Sequence, residues 1–429
     1  MSEKTLKAFG LKAETGRWIF VIAGLAMMLC LGAVYAYSII RIHFEKIFKE
    51  FGLKISATEM QIPYLVFLFL FAFTMPLMGK YIEKHGPRKV ALLGAILVSL
   101  AWFSASFATS PYILVLLYGV IGGVGVGVAY NCPIVVSARW FPDKRGLAVG
   151  LTVLGFGFSA AVVGPLADYL AASLGAQMML RTISLIFLII MIFSAISLRF
   201  PPSDWTPHGR SSTRQRITEG MDLSRERAMR TVTFYALWIC YIIGTLAGLM
   251  AIGISKQVGL EIAERLGLSE GEVSPLLTAL LVPFALCNGF GRPLFGWLTD
   301  KLTPRKTAII SFALILTASL TTFMLQNSLQ AYIFTFAVLW LNLGGWLAIA
   351  PAATASFFGT RDYARNYGLI FTAYGVGALI GNLVAGYVKD ILGSYMTVFP
   401  VIAILSIIGI VIAAVFLKPP EIQEKKDEG

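Results

Sequence analysis

The chain has 429 residues, 57% of them hydrophobic and only 14% charged, with Lys+Arg 35 against Asp+Glu 23 and a net charge of +12. A water-soluble domain keeps about a quarter of its residues charged, so this composition excludes an ordinary soluble fold and requires an outer surface that faces lipid. In a soluble protein the positive balance would suggest nucleic acid; here it reads as loop charge at a membrane surface, and nucleic acid is not expected as a partner.

The first apolar run, 18–40, is long enough to cross a bilayer. Many more follow it, which separates it from a cleavable signal. The further runs fall at 61–79, 90–108, 111–135, 146–171, 180–198, 231–255, 273–298, 307–325, 331–355, 367–388 and 396–417. Alternation of apolar and polar residues, the mark of a membrane β-barrel, is absent. The predicted fold is therefore all-α, with twelve transmembrane helices. The long polar interruption at 199–230 carries Pro201, Pro202, Pro207 and many charges. It reads as a linker between an N-terminal six-helix bundle, 1–198, and a C-terminal one, 231–429, which ends in a short tail. Cys30, Cys132, Cys240 and Cys287 lie in apolar runs without metal-ligand spacing, and read as buried thiols. No metal or other cofactor is expected. His43, His85 and His208 lie outside the deep parts of the runs and form no catalytic constellation, so the chain does not read as an enzyme.

Charge sets the orientation. Of the 35 Lys and Arg residues, 26 fall in the N-terminus, the even-to-odd loops, the linker and the tail, and eight on the other side. The excess places both termini and the linker in the cytoplasm, as in a multi-pass protein of a plasma membrane of the prokaryotic inner type.

An internal repeat supports two related bundles. Residues 76–90, PLMGKYIEKHGPRKV, and 293–307, PLFGWLTDKLTPRKT, are identical at seven positions at a shift of 217. Parallel repeats with a site between them at mid-membrane depth are a transporter plan. Within the repeats, Gly79, Glu83 and Arg88, and Gly296, Asp300 and Arg305, are expected to hold neighbouring helices in one conformation and so to act in gating.

The one remaining cation, Arg292, lies about eight residues from the cytoplasmic end of the eighth run, roughly 12 Å deep. A guanidinium at that depth costs several kcal/mol unless it faces water or a partner. The repeat has Met75 at the equivalent position, so the charge is not needed to fold a bundle. Asp168 and Asp390 lie toward the outer helix ends, and Glu83 and Asp300 in the cytoplasmic repeats. A cation without an internal carboxylate at its own depth suits a carboxylate ligand, held by two hydrogen bonds; the other reading is a structural arginine satisfied by helix carbonyls or a tyrosine. Asn288, one turn earlier, can hydrogen-bond but not titrate. Tyr35, Tyr37, Tyr241, Trp346, Tyr367 and Tyr374 lie mid-run, where packing and ligand contact are equally open readings. Tyr130-Asn131 stands out, since two adjacent polar groups there need partners. The glycines of GVIGGVGVG, 119–127, sit inside an apolar span and read as helix-packing positions, not as a phosphate loop. Gly155, Gly157, Gly375, Gly377 and Gly381 read the same way.

The repeats resemble the signature of the major facilitator superfamily. The decapeptide 139–148, RWFPDKRGLA, with 288–293, NGFGRP, and 357–381, FFGTRDYARNYGLIFTAYGVGALIG, resembles the oxalate/formate antiporter family, which is related to the monocarboxylate transporters. The resemblance runs from about 18 to 418. It implies two pseudo-symmetric six-helix bundles, alternating access and a carboxylate substrate, with Arg292 as substrate arginine and Tyr35 and Tyr130 in the cavity. At 372–375 the chain reads Thr-Ala-Tyr-Gly, with Tyr374 where the oxalate exchanger has a second cation. Asn288 stands where many proton-linked relatives have an aspartate. The expected substrate is thus a small monocarboxylate such as lactate, pyruvate or formate, bound by Arg292, Tyr35, Tyr130, Asn131, Asn288, Tyr374 and Trp346. Protons or a counter-carboxylate are the candidate coupling partners, and symport and exchange both remain open. So do an oxalate or other dicarboxylate antiporter and a carboxylate-binding membrane sensor.

Overall fold

A computed structural model describes residues 7–53, 57–202, 205 and 222–420. Most of the linker and the end of the tail therefore lie outside the described residues, as do Pro207, His208 and the side chain of Asp390. A backbone surrounded by hydrocarbon must satisfy its polar groups within its own segment, which selects helices. The long helices are α1 Ala13–Ala36, α2 Ile62–His85, α3 Pro87–Ala105, α4 Pro111–Trp140, α5 Arg145–Leu174, α6 Ala176–Ser197, α7 Val232–Arg265, α8 Glu270–Leu302, α9 Pro304–Met324 and α10 Leu329–Phe358. They continue with α11 Tyr363–Leu392 and α12 Tyr395–Phe416. Eleven of these are long and apolar enough to cross a membrane among the described residues, and α11, at 30 residues, is the twelfth long helix. Leu77, Phe193, Ile404 and many other large apolar side chains are exposed, as a lipid-facing surface requires.

Helix starts follow local chemistry. Pro87, Pro111 and Pro304 occupy first-turn positions, where the missing N–H costs nothing. Thr231 and Ser328 accept from Phe234 N and Ala331 N, 3.2 Å each. The repeat is visible in the turns. Gly86 has φ 80° and Thr303, its equivalent, has φ 127°, so both copies reverse direction through the left-handed region although only one has glycine there.

The sequence placed the first span at 18–40; the helix starts earlier, at Ala13, after a two-strand hairpin of Lys7–Ala8 and Leu11–Lys12. It tightens into a 3-10 turn at Gly32–Ala36 and continues as a helix, Tyr37–Glu50. A Cβ on Gly32 would meet the backbone of Phe156 at 2.5 Å. Glycine there lets α1 press onto α5 just before Tyr35.

Two seams join the bundles, α5 against α8 and α2 against α11. On the first, Gly146 lies on the backbone of Gly296, Gly150 on that of Arg292, and Gly157 on Gly289. On the second, Gly79 lies on Ala364 and Arg365, and Gly368 on Met75 and Pro76. Backbone-to-backbone approach of this kind needs residues without side chains. The seams run from the end that carries the linker (the linker end) to mid-depth.

The decapeptide 139–148 closes that end. Arg139 binds Glu83 at 2.7 and 2.8 Å and the carbonyls of Thr360 and Arg361 in the other bundle. Arg145 Nη1 donates to Ala355 O, 3.0 Å. Asp300 accepts from Gly146 N and Leu147 N, 2.8 Å each, at the start of α5. Asp143 takes both prongs of Arg17, at 2.6 and 3.0 Å. The far end of the linker joins in, since Asp222 accepts from Thr360 N and Arg361 N.

Candidate functional site

The site is built around Arg292, which α8 holds ten residues before its end, about 15 Å deep at 1.5 Å per residue. It is fully buried. Nη1 donates to Val153 O of α5, 2.6 Å, and Nη2 to Asn288 Oδ1, 3.1 Å, while Nε has no partner. No carboxylate pairs with it among the described residues; every ion pair resolved lies elsewhere. The Phe156 ring stands 5.5 Å from its Cζ. A guanidinium has five N–H groups. Two are engaged by these bonds, Tyr35 and Tyr130 stand within hydrogen-bonding reach of the group, and Nε–H, on the edge it shares with Nη2, is spare. That edge has the shape of a carboxylate.

Gly157 explains why the edge is uncovered. A Cβ at that position would stand 2.9 Å from Nε and 3.1 Å from Asn288 Oδ1. The sequence marked Gly157 only as a packing position; its contact with the guanidinium is a tertiary fact. Val153 and Phe156 were also missed, because a carbonyl and a phenyl ring give no sequence signal.

Around the arginine the structure gathers most of the expected residues. The hydroxyls of Tyr35 in α1 and Tyr374 in α11 share a hydrogen bond of 2.7 Å across the two bundles. The charge of Arg292 acts on the phenols of Tyr35, Tyr130 and Tyr241. Tyr130 packs edge-on against Phe156 and Phe71, 5.3 and 5.0 Å between centroids, and its hydroxyl stands within hydrogen-bonding reach of Arg292 without a bond of normal geometry. Asn288 gives its oxygen to Arg292, and its Nδ2 is unpartnered.

Two expected residues make contacts away from Arg292, and each keeps one buried polar atom, Asn131 Oδ1 and Trp346 Nε1, without a partner. Asn131 donates to Ala364 O of α11, 2.9 Å, and so ties α4 to the other bundle. Trp346 packs against Gly244 of α7 and Phe312 of α9 and stacks on Tyr241, inside the second bundle. Of the gating candidates, Gly79, Glu83, Gly296 and Asp300 lie at the closure just described. Arg88 and Arg305 are exposed, and the partner of Glu83 is Arg139.

A sequence profile of the Major Facilitator Superfamily matches residues 19–261 and 243–429. The chain belongs to this superfamily. Its members are transporters, not enzymes, and the chain is a multi-pass membrane transporter by fold and family. Among curated proteins it is 28% identical over 400 residues to the oxalate:formate antiporter of Oxalobacter formigenes, covering 92% of this chain and 90% of the relative. It is 27% identical over 356 residues to apicoplast pyruvate carrier 1 of Toxoplasma gondii, 69% of this chain and 63% of the relative. Human monocarboxylate transporter 14 is 24% identical over 408 residues, 78% of each chain. Among solved structures, the proton:xylose symporter XylE bound to 6-bromo-6-deoxy-D-glucose superposes with a TM-score of 0.71 at 13% identity, covering 94% of this chain and 96% of the other. The E. coli fucose:proton symporter FucP gives 0.67 at 15% identity, covering 92% and 98%. At those identities the two structures establish the fold alone.

Proposed function

We propose that this transporter carries small monocarboxylates, of the size of lactate, pyruvate or formate, by alternating access, with the substrate carboxylate on the free edge of Arg292. One observation carries the reading: a fully buried guanidinium, without a carboxylate partner among the described residues, that keeps Nε unspent at the seam between the bundles. A buried cation left in that condition costs several kcal/mol. An anion that supplies two charge-assisted hydrogen bonds offsets the cost. The names of the relatives point the same way: an oxalate:formate antiporter, a pyruvate carrier and a monocarboxylate transporter.

Tyr35, Tyr374, Tyr130 and Asn288 form the rest of the pocket. With Tyr374 bonded to Tyr35 and only one cation at this depth among the described residues, a single negative charge is matched and a second one is not. The linker end faces the cytoplasm, and the contacts of Asp300, Arg139 and Glu83 hold it shut in this conformer. Substrate reaches Arg292 from the other side. Its charge cancels the arginine's, and the bundles rock so that the cytoplasmic contacts break. Asn288 cannot carry a proton, so the coupling is either a proton that travels by another route or a counter-carboxylate.

The test is uptake of labelled lactate, pyruvate and formate into proteoliposomes, with xylose as a control for the sugar-transporter fold, under an imposed pH gradient or with an internal carboxylate. Saturable uptake of a monocarboxylate and none of xylose is expected. Uptake of xylose with no carboxylate flux or binding would overturn the proposal.

A further inference from the structure

Beside the arginine a second group of polar atoms is left without partners. Tyr130 of α4, Tyr241 of α7 and Tyr367 of α11 surround the ring of Phe371, with centroids 5.2, 6.3 and 5.9 Å from it. All three are fully buried, and none of their hydroxyls makes a hydrogen bond of normal geometry. Tyr241 and Tyr367 face each other within hydrogen-bonding reach, and Tyr130 faces the guanidinium of Arg292. A buried hydroxyl without a bond costs about 1–3 kcal/mol. Elsewhere the chain spends such groups: Tyr37 donates to Met60 O, Tyr363 to Pro351 O, and Tyr35 pairs with Tyr374. Tyr118 and Tyr332 also lack partners, but each is packed among rings of its own bundle. The group around Phe371 is the one that draws hydroxyls from both bundles and adjoins the arginine.

The O–H of Tyr130 and the O–H left over by the Tyr241–Tyr367 pair call for an oxygen lone pair. They do not call for a second carboxylate. The charged residues described on α4, α7 and α11 lie in the outer turns of the helices: Arg139 on Glu83, Arg365 on Asp362, Glu261 with Arg265 and Lys389, and Lys256 and Glu264 in the last third of α7. A second anion at the phenols would be buried without a counter-charge. We propose that Tyr130, Tyr241 and Tyr367 form a second subsite for an uncharged oxygen, hydroxyl or carbonyl, borne by the substrate whose carboxylate lies on Arg292. The inference rests on the monocarboxylate reading and deepens it by assigning a specificity role to Tyr241 and Tyr367. Because Tyr130 belongs to the first bundle and the Tyr241–Tyr367 pair to the second, a substrate that fills this subsite bridges the bundles, and one that ends at its carboxylate does not.

The experiment compares acids that differ by one oxygen: acetate with glycolate, and propionate with lactate and 3-hydroxypropionate. Affinities are measured by titration calorimetry on purified wild type, Tyr241→Phe and Tyr367→Phe. Phenylalanine keeps the ring volume, and unchanged thermal midpoints verify the fold. Wild type is expected to prefer a hydroxylated acid over its parent by about tenfold, the worth of one net hydrogen bond. In each variant that ratio is expected to fall toward one. Equal wild-type affinity for the paired acids overturns the subsite and leaves the carboxylate reading standing, as does a ratio that survives both substitutions, the result if the phenols hold only a water. Binding of none of the five acids overturns both.

Discussion

Substituting Gly157→Ala adds one methyl group at the point where α5 crosses Arg292. The new carbon would stand 2.7 Å from Gly289 Cα, 2.9 Å from Arg292 Nε and 3.1 Å from Asn288 Oδ1. Non-bonded carbons rest at about 3.5–4.0 Å, so the seam must open by about 1 Å or the guanidinium must turn. Either way the Nε edge is covered. Losing one of two charge-assisted hydrogen bonds costs about 1.5–3 kcal/mol, which lowers affinity roughly 10- to 100-fold. Gly155→Ala is the control: it crowds Leu25 O and Leu29 N within the first bundle and approaches no site atom. It should lower stability while the folded fraction keeps its affinity. The assay is calorimetric titration of both variants with the monocarboxylate that gives the fastest uptake. Wild-type affinity in Gly157→Ala at an unchanged thermal midpoint would refute the reasoning about the free edge.

Two further predictions concern the linker end. Asp300→Asn weakens the charge-assisted bonds to Gly146 N and Leu147 N at the start of α5 and should cost the shut state about 1 kcal/mol. A cysteine at position 364, in a background without the four native cysteines, should then be labelled from that side about five times faster; an unchanged rate would remove Asp300 from the gate. Thr303→Gly relieves a β-branched residue at φ 127°, worth of order 1 kcal/mol, and loses only a long cap contact, 3.4 Å to Lys306 N. The thermal midpoint in detergent should rise, and a fall would show that the cap outweighs the strain.

The helix count, the twofold repeat and Arg292 were legible because each leaves a one-dimensional mark. Apolar runs of bilayer length mark spans, PLxG…K..PRK marks the paired turns, and a lone charge in an apolar run marks itself. The partners were not legible. Asp300 meets backbone N–H groups 154 residues away, and every residue has such a group, so no pattern points to them. Glu83 and Arg139 read as separate loop charges until α2 and α4 lie side by side. Asn131 and Trp346 have the depth of site residues, yet the face each presents is set by its neighbours, Ala364 for one and Gly244 for the other. Tyr241 and Tyr367 look in sequence like any mid-helix tyrosine. Only the place of their buried hydroxyls, facing each other beside Tyr130 and Phe371, separates them from packing residues.

The central claim is that Arg292 binds the substrate carboxylate, and binding of a labelled monocarboxylate to purified wild type, Arg292→Lys and Arg292→Ala tests it most directly. Loss of the two-pronged contact should weaken Arg292→Ala at least 100-fold. Arg292→Lys, which keeps the charge but not the fork, should fall between the two. Wild-type affinity in both variants, with the fold intact, would contradict the account.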